Sequence, residues 1–418
     1  MKVLMLGWEF PPMISGGLGV ACKGIADAIS NHVELNLILP KTISENKKKY
    51  NVIGIDKIFQ IRNKNETDLS EYSIPYYQNT FFPYLNESYF KTSQDLIKNY
   101  NNGHFIWNNI PALYGNDIIR NINTYKKSAI KISEDIEFDI IHAHDWMTMT
   151  AGIEIKKKFN KPLVLHIHSL ETDRSNEENR GYIYQMEKKG MKEADLILAV
   201  SDYTKNKIIY HYQIKPEKIE VAHNGNNYVP FQKSSFKKKE TTVAFIGRLT
   251  NQKGPRYFLD IAKKILESNT KFRFVIAGNG DNMNSLIEYS ALEELGDKIH
   301  YTGFLNENKL KELWKNTDIY CMPSVSEPFG LSAVEAASCN IPCVISKQSG
   351  VSEVLKNSLQ FDFWDVDKAA SLIINLAENK MLKKEITTNA LKEVKKMSWN
   401  KTAKEILKHY HSHKLINF

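Results

Sequence analysis

Glu327 and Glu335 stand on either side of a turn that could bind an anionic ligand. The turn, Ser324–Gly330, follows an apolar strand-type run, Asp318–Met322, and precedes the apolar stripe of a helix. The first amide groups of such a helix favour a phosphate, and a glycine at the junction lets the backbone approach a ligand closely. Either acid alone could be a solvated helix residue, but a glutamate among alanines and valines needs a partner. Two carboxylates therefore frame a turn that could bind an anion.

Two cations precede another helix start. Arg248 and Lys253 lie in Gly247-Arg-Leu-Thr-Asn-Gln-Lys-Gly254, between a strand at Thr242–Ile246 and a helix that begins near Pro255. Two cations on one turn can neutralise a diphosphate, although each alone would be an ordinary surface charge. We interpret the pair as a diphosphate site.

A glycine-rich loop follows the first strand, Lys2–Leu6. Gly16 and Gly17 precede a helix predicted near Val20–Ser30, and their amides could lie against a pyrophosphate or a sugar. The loop does not have the G-x-G-x-x-G pattern of dinucleotide-binding folds. A purely structural glycine loop is the alternative.

Four histidines follow two neighbouring strands: His142 and His144 end the first, and His166 and His168 end the second. The carboxyl ends of parallel strands deliver side chains to the ligand-binding edge of an α/β sheet. A metal site and a purely structural role are the alternatives, but no cysteine or well-placed acid completes a zinc site. We interpret the histidines as polar contacts to a ligand.

These residues are positioned by alternating strands and helices, which predict doubly wound parallel sheets. The pattern restarts after a polar linker, so two α/β domains are expected, at residues 1–230 and 241–395. Residues 41–116 form an aromatic-rich insertion, which could contact sugars or simply pack on the domain. Residues 396–418 are expected to form a final helix, and a single helix is predicted over Lys383–Ala403.

The 418-residue chain carries 56 basic and 48 acidic residues, a modest net charge of +8 that suits an anionic substrate. The sequence has no nucleic-acid-binding signature, no apolar run long enough to cross a membrane and no signal peptide. Its four cysteines lack zinc-site spacing. We therefore expect a cytoplasmic protein without nucleic-acid partners or a transmembrane segment.

Three longer strings extend these patterns: Ser-Glu-Pro-Phe-Gly-Leu-Ser-Ala-Val-Glu-Ala around Glu327, Gly-Arg-Leu-x-x-Gln-Lys-Gly around Lys253, and His-Ala-His-Asp-Trp around His144. Together they resemble the E-x7-E motif family of retaining GT-B glycosyltransferases, specifically the glycogen/starch synthase-like group. The resemblance covers nearly the whole chain except about Lys41–Asn116. It implies two Rossmann-like domains that face a central cleft, with the final helix crossing back to the first domain.

The resemblance also implies roles for individual residues. His144 and Glu327 would be catalytic, touching the donor sugar, and Glu335 would hold the ribose hydroxyls. The remaining donor-binding residues would be Gly16, Gly17, Arg248, Lys253, Phe329, Gly330 and Leu331. The family usually has a lysine directly before its glycine loop, and this chain has Ile14 and Ser15 there. That difference leaves open one phosphate contact and the choice between ADP and UDP donors.

The implied reaction transfers glucose, with retention, from ADP-glucose or UDP-glucose to a glucan, as in α-1,4 elongation. No cofactor or metal is expected, because cations and a helix dipole can stabilise the leaving diphosphate. One alternative is a retaining transferase with a lipid, exopolysaccharide or small-molecule acceptor. A nucleotide-sugar epimerase and an inactive binder of glucan or nucleotide-sugar are further alternatives.

Overall fold

The structure is a computed structural model that describes residues 1–12, 16–41, 49–55, 118–175, 178, 180–227, 239–268 and 270–415. The aromatic-rich insertion predicted at residues 41–116 therefore lies almost entirely outside the described residues. The chain packs into two compact units. One comprises Met1–His166, Gln185–Ile197 and Lys408–Phe418, and the other comprises Ile167–Tyr184 and Leu198–Leu407.

Seven strands form the first parallel sheet. They are β1 Lys2–Leu6, β2 Glu34–Leu39, β3 Asn51–Gly54, β4 Ile140–His144, β5 Leu163–Ile167, β6 Leu196–Ala199 and β7 Ile219–Val221. Their order is β3-β2-β1-β4-β5-β6-β7, so the strand order reverses between β1 and β4. The helices that lie between these strands along the chain are α1 Gly17–Ile29, α2 Ile118–Ser133, α3 Asp145–Phe159, α4 Glu171–Arg174, α5 Tyr182–Glu193 and α6 Asp202–Tyr212.

Six strands form the second sheet. They are β8 Thr241–Ile246, β9 Phe272–Ala277, β10 Ile299–Gly303, β11 Ile319–Met322, β12 Cys343–Ser346 and β13 Leu359–Phe361. Their order, β10-β9-β8-β11-β12-β13, again reverses at its centre, between β8 and β11. The helices are α7 Pro255–Ser268, α8 Met283–Leu292, α9 Glu307–Lys315, α10 Leu331–Ser338, α11 Val366–Glu378, α12 Lys380–Val394 and α13 Trp399–Ser412. Two doubly wound, Rossmann-like parallel sheets were predicted, and the prediction is confirmed.

Strand β11 shows why helices cover both faces of the second sheet. Its side chains alternate: Ile319 and Cys321 belong to a core with α7 and α11, whereas Tyr320 and Met322 belong to a core with α10 and α12. All four are buried, which explains why the strand is apolar throughout rather than alternating with polar residues. A strand buried on both faces is rigid, so the position at which the following turn begins is fixed.

The prediction of one helix over Lys383–Ala403 is wrong. Helix α12 ends at Val394, and α13 starts at Trp399. A Cβ atom at Gly225 would lie 2.3 Å from the Trp399 backbone nitrogen, so the chain between the two helices passes directly against another backbone segment. This close contact replaces the continued helix, and periodicity alone does not reveal it.

Candidate active site

The loops after β8 and β11 lie at the point where the strand order of the second sheet reverses, which is where open α/β sheets bind ligands. Main-chain hydrogen bonds join the two loops: the Val325 and Ser326 amides donate to the Gln252 carbonyl, at 2.9 and 3.3 Å. Gly254 has φ +67°, and a Cβ atom there would lie 2.0 Å from the Pro323 carbonyl oxygen. The two predicted ligand-binding loops therefore form one backbone-bonded unit.

Lys253 and Glu327 meet across this junction. The lysine Nζ donates to Glu327 Oε2 at 2.6 Å, and the two side chains are 20% and 8% exposed. The Glu327 peptide is also held on its other side, where its amide donates to the Gln348 carbonyl at 2.9 Å and its carbonyl accepts from the Gly350 amide at 2.9 Å. The structure thus brings together two residues that belong to separate sequence motifs.

Helix α10 begins immediately after this loop. Gly330 adopts φ +113°, a conformation that side-chain-bearing residues rarely reach, and Leu331 is the first helical residue. The first amides of a helix have no acceptor within it, so they can bind an anion that lies beside the Lys253–Glu327 pair. Phe329, in contrast, is 3% exposed and packs in the core with Val351. Its side chain is structural in this arrangement.

Glu335 projects from α10 one turn after its start. The side chain is partly buried, and burial raises the pKa of its carboxyl from 4.5 to about 7. A carboxyl with this pKa changes charge near neutral pH. When it is ionised, both of its oxygens can accept hydrogen bonds from a ligand.

Arg248 lies in the β8 loop, on a segment packed against the next loop. The Leu249 amide donates to the Asn279 carbonyl at 2.9 Å, and a Cβ atom at Gly278 would lie 1.8 Å from the Gly247 carbonyl oxygen. The Arg248 side chain is partly exposed. The second unit therefore contains Arg248, Lys253, Glu327, Glu335 and the α10 N-terminus around the strand-order reversal.

The first sheet repeats this geometry. Gly16 immediately precedes α1, which starts at Gly17, and the Ile14 and Ser15 positions lie outside the described residues. His144 ends β4 and occupies the N-cap position of α3, in which Asp145 has φ +55°. Because β1 and β4 flank the strand-order reversal of this sheet, the segments that follow them, which include Gly16, Gly17 and His144, leave the sheet at the edge where open α/β sheets bind ligands.

His142, His144 and His166 form a buried cluster in the first unit. Their ring centroids are 4.7–5.4 Å apart with interplanar angles of 18–28°, and His142 Nε2 lies 3.2 Å from His166 Nδ1. Their ligand nitrogens lie within 4.8 Å of one another. A metal ion, however, needs the in-plane lone pairs of its imidazoles to converge, and near-parallel rings direct them side by side. The arrangement fits a stacked polar cluster better than a metal centre.

Tyr410, on α13, extends this cluster. Its hydroxyl hydrogen-bonds His142 Nδ1, and burial raises the pKa of the phenol far above its usual value, which keeps it a neutral donor. When the Tyr410 hydroxyl donates to His142 Nδ1, the imidazole carries its own proton on Nε2. That Nε2–H group can donate to His166. Nearby in sequence, burial lowers the pKa of His168 to about 3, so that imidazole is neutral at physiological pH. Sequence reasoning missed Tyr410 because its partner lies 268 positions away.

Replacing Tyr410 by phenylalanine is expected to lower the free energy of unfolding by about 1–3 kcal/mol, because a buried imidazole nitrogen loses its hydrogen-bond donor. Denaturant unfolding of the wild type and the variant measures the change. Tyr210→Phe, at a residue that is 75% exposed, is the matched control and should leave stability unchanged. Equal stability of the wild type and Tyr410→Phe would contradict the assigned hydrogen bond.

Comparison with known proteins agrees with this geometry. A family model described as "Starch synthase catalytic domain" matches residues 2–219, and one described as "Glycosyl transferases group 1" matches residues 230–393. The chain belongs to the glycogen/starch synthase-like glycosyltransferases. The predicted family and the predicted enzyme class, a glycosyltransferase, are both confirmed.

Relatives of this glycosyltransferase have diverse names. An uncharacterized glycosyltransferase of Methanocaldococcus jannaschii is 29% identical over 98% of both chains. The glycogen synthase of Mycobacterium tuberculosis is 24% identical over 85% of this chain and 80% of its own. An Escherichia coli α-1,3-galactosyltransferase named for the acceptor GlcNAc-diphosphoundecaprenol is 25% identical over 66% of this chain and 78% of its own.

Solved structures show the same fold. A sucrose-phosphate synthase from Thermosynechococcus elongatus superposes with a TM-score of 0.73 at 15% identity, and the match covers 98% of each chain. An Anabaena protein in complex with UDP and glucose superposes with a TM-score of 0.67 at 16% identity, over 99% of this chain and all of the other. At these identities the similarity establishes the GT-B fold of the glycosyltransferase.

Within the described ranges, no helix combines the length and the apolar character that crossing a bilayer requires.

Proposed function

We propose that this glycosyltransferase moves glucose, with retention at the anomeric carbon, from ADP-glucose or UDP-glucose to an α-1,4-glucan. The Lys253–Glu327 pair beside the α10 N-terminus is the observation that carries the proposal. It combines a cation and helix amides for a diphosphate with a carboxylate for the sugar, at the ligand-binding edge of the sheet. The relative named glycogen synthase supports glucan as the acceptor.

The positions of the second unit's residues support the roles proposed for them, and the roles proposed for Gly16, Gly17 and His144 rest on the family resemblance. Lys253, Arg248 and the amides of Gly330 and Leu331 would neutralise the leaving diphosphate, and Gly16 and Gly17 would bind the donor, as the family resemblance implies. Glu327 would bind sugar hydroxyls and stabilise positive charge that develops at the anomeric carbon. Glu335 would accept hydrogen bonds from the ribose, and His144 would contact the transferred sugar. Phe329 would contribute through its backbone, because its side chain is in the core.

A donor-by-acceptor screen tests the proposal. Purified protein is given ADP-glucose or UDP-glucose with glycogen, maltooligosaccharides or no acceptor, and release of nucleoside diphosphate is followed. Release that depends on glucan supports elongation and identifies the donor base. Donor binding without glucan-dependent release would instead favour a lipid, exopolysaccharide or small-molecule acceptor. The E. coli relative named for a diphosphoundecaprenol-linked acceptor favours this second candidate.

The ribose role of Glu335 predicts that donor binding tightens as the pH rises through about 7, because only the ionised carboxylate accepts two hydrogen bonds. The donor KM measured from pH 5.5 to 8.5 should fall in the wild type and stay flat in Glu335→Gln.

The ionisation of Glu335 affects the stability of the protein in the opposite direction. Because folding raises the pKa of the Glu335 carboxyl, the free energy of unfolding of the protein falls as the pH rises from 4.5 to about 7. Glu335→Gln should therefore be more stable at pH 8, by at most about 3 kcal/mol.

We further propose that transfer needs no metal, since protein cations and helix amides supply the charge that Mg²⁺ would supply. Activity should be unchanged after dialysis against EDTA, as measured by nucleoside diphosphate release. Loss of activity in EDTA and its recovery with Mg²⁺ or Mn²⁺ would refute this part of the proposal. The proposal also includes a cytoplasmic location, because none of the four cysteines, all of which lie within the described residues, forms a disulfide.

A further inference from the structure

A buried ion pair lies directly beside the loop that carries Glu327. Asp173, on the short helix α4, and Lys207, on α6, lie 3.0 Å apart from Oδ1 to Nζ, and their side chains are 1% and 8% exposed. The other carboxylate oxygen, Oδ2, accepts from the Leu170 amide at 2.8 Å. Both residues belong to the same unit as Glu327. Neither takes part in the roles proposed above.

Ser326, the residue before Glu327, connects the ion pair to the loop. Its hydroxyl donates to Asp173 Oδ1 at 2.6 Å and accepts from Lys207 Nζ at 3.1 Å. The Tyr203 hydroxyl lies 2.9 Å from the same oxygen. One donated and two accepted hydrogen bonds match the full capacity of a serine hydroxyl, so its position is fixed from three directions.

The residue after Glu327 is held by the same part of the chain. The Pro328 carbonyl accepts from Ser201 Oγ at 2.6 Å and from Thr204 Oγ1 at 3.3 Å. Ser201 also caps α6, because its hydroxyl accepts from the Thr204 amide at 3.0 Å. Helix α6 and its cap thus fix the chain on both sides of Glu327.

Stability alone is a weak reason for this arrangement, because a buried ion pair costs about as much desolvation free energy as its attraction returns. Its geometric effect, in contrast, is specific: three polar contacts converge on the residue next to a proposed catalytic carboxylate. Displacement of a catalytic group by about 1 Å can cost about 100-fold in rate.

We infer that Asp173 and Lys207 are positioning residues, which fix Ser326 and through it the Glu327 carboxylate. The inference rests on the catalytic role proposed for Glu327. The Lys207 ammonium donates to Asp173, Ser326 and the Thr172 carbonyl at 3.0–3.1 Å, which matches its three protons. Loss of either charge releases Ser326 without removing any group that binds the donor diphosphate.

The experiment compares Asp173→Asn, Lys207→Met and the double variant with the wild type. Each single variant leaves a buried charge unpaired and should lower both stability and kcat, whereas the double variant removes both charges and should recover most of the stability. We expect kcat of the double variant to remain 10- to 100-fold below wild type, with the donor KM within threefold. Recovery of kcat together with stability would overturn the inference, since the pair would then act only through folding.

Hydrogen–deuterium exchange of the segment from Ser324 to Gly330 gives a readout that does not need activity. Exchange in the double variant should be faster than in the wild type at equal global stability, and equal exchange would overturn the inference. Lys263→Met with Glu293→Gln removes a partly exposed ion pair of the same unit and is the control, expected to leave kcat and loop exchange unchanged. A wild-type protein that transfers to no acceptor would count against the proposed function, while the exchange result would still decide the positioning role.

Discussion

Glu327→Gln is expected to lower kcat by about 1,000-fold, the largest effect of any single substitution proposed for this protein. Glutamine keeps the size and the hydrogen-bonding reach of the side chain but removes its negative charge. Loss of one preorganised group that faces a developing charge costs about 100- to 1,000-fold in rate. Because the main chain at Glu327 is held by Gln348 and Gly350, the loop itself should stay in place.

Single-turnover release of nucleoside diphosphate, with the acceptor found in the screen, measures this effect. The donor KM should change much less than kcat, because the contacts proposed for the diphosphate are on other residues. Glu353→Gln is an informative comparison, since its carboxylate accepts from the Asp202 and Tyr203 amides and is therefore structural. A Glu327→Gln variant with near wild-type kcat would remove Glu327 from the reaction.

Lys253→Met is expected to lower kcat/KM by about 100-fold, mainly through a weaker donor interaction. A charge-assisted hydrogen bond contributes about 1.5–3 kcal/mol, and each 1.4 kcal/mol is a factor of ten. The substitution also leaves the mostly buried Glu327 carboxylate without its 2.6 Å partner, so stability should fall by about 1–3 kcal/mol.

The double variant Lys253→Met with Glu327→Gln separates these two effects. It should recover stability, because neither charge is left unpaired, and it should have no measurable transfer. Calorimetric titration with UDP or ADP tests the phosphate role directly and should show weaker binding in both variants that contain Lys253→Met. Unchanged nucleotide affinity in Lys253→Met would show that this lysine serves the Glu327 loop rather than the donor.

The fold could be predicted from sequence because the features that identify each strand and helix lie within a short stretch of the chain. Strands buried on both faces, such as Ile319–Met322, are continuous apolar runs, and the helices between them begin at recognisable residues such as Pro255. The ligand-binding loops could be predicted for the same reason. Each combines a strand end, glycines and charged residues within about ten positions.

The contacts between distant segments could not be predicted in this way. Lys253 and Glu327 are 74 positions apart, and Ser326 and Asp173 are 153 apart. No periodicity identifies which lysine pairs with which carboxylate, because that choice depends on how the strands are ordered. Sequence reasoning therefore pointed to the loops after β8 and β11, whose ligand-binding role stays a prediction, and missed the residues that hold those loops in place.

The main-chain packing between the loops after β8, β9 and β11 has a consequence for evolutionary divergence. Hydrogen bonds between peptide groups do not depend on which side chains the residues carry, so most positions in these loops can change while the loop geometry is retained. Gly254, Gly278 and Gly280 are exceptions, because a Cβ atom at each would lie 1.8–2.5 Å from a carbonyl oxygen. Neutral drift is therefore restricted at a few glycines, and new donor preferences can arise through side-chain replacement at neighbouring positions on an unchanged backbone.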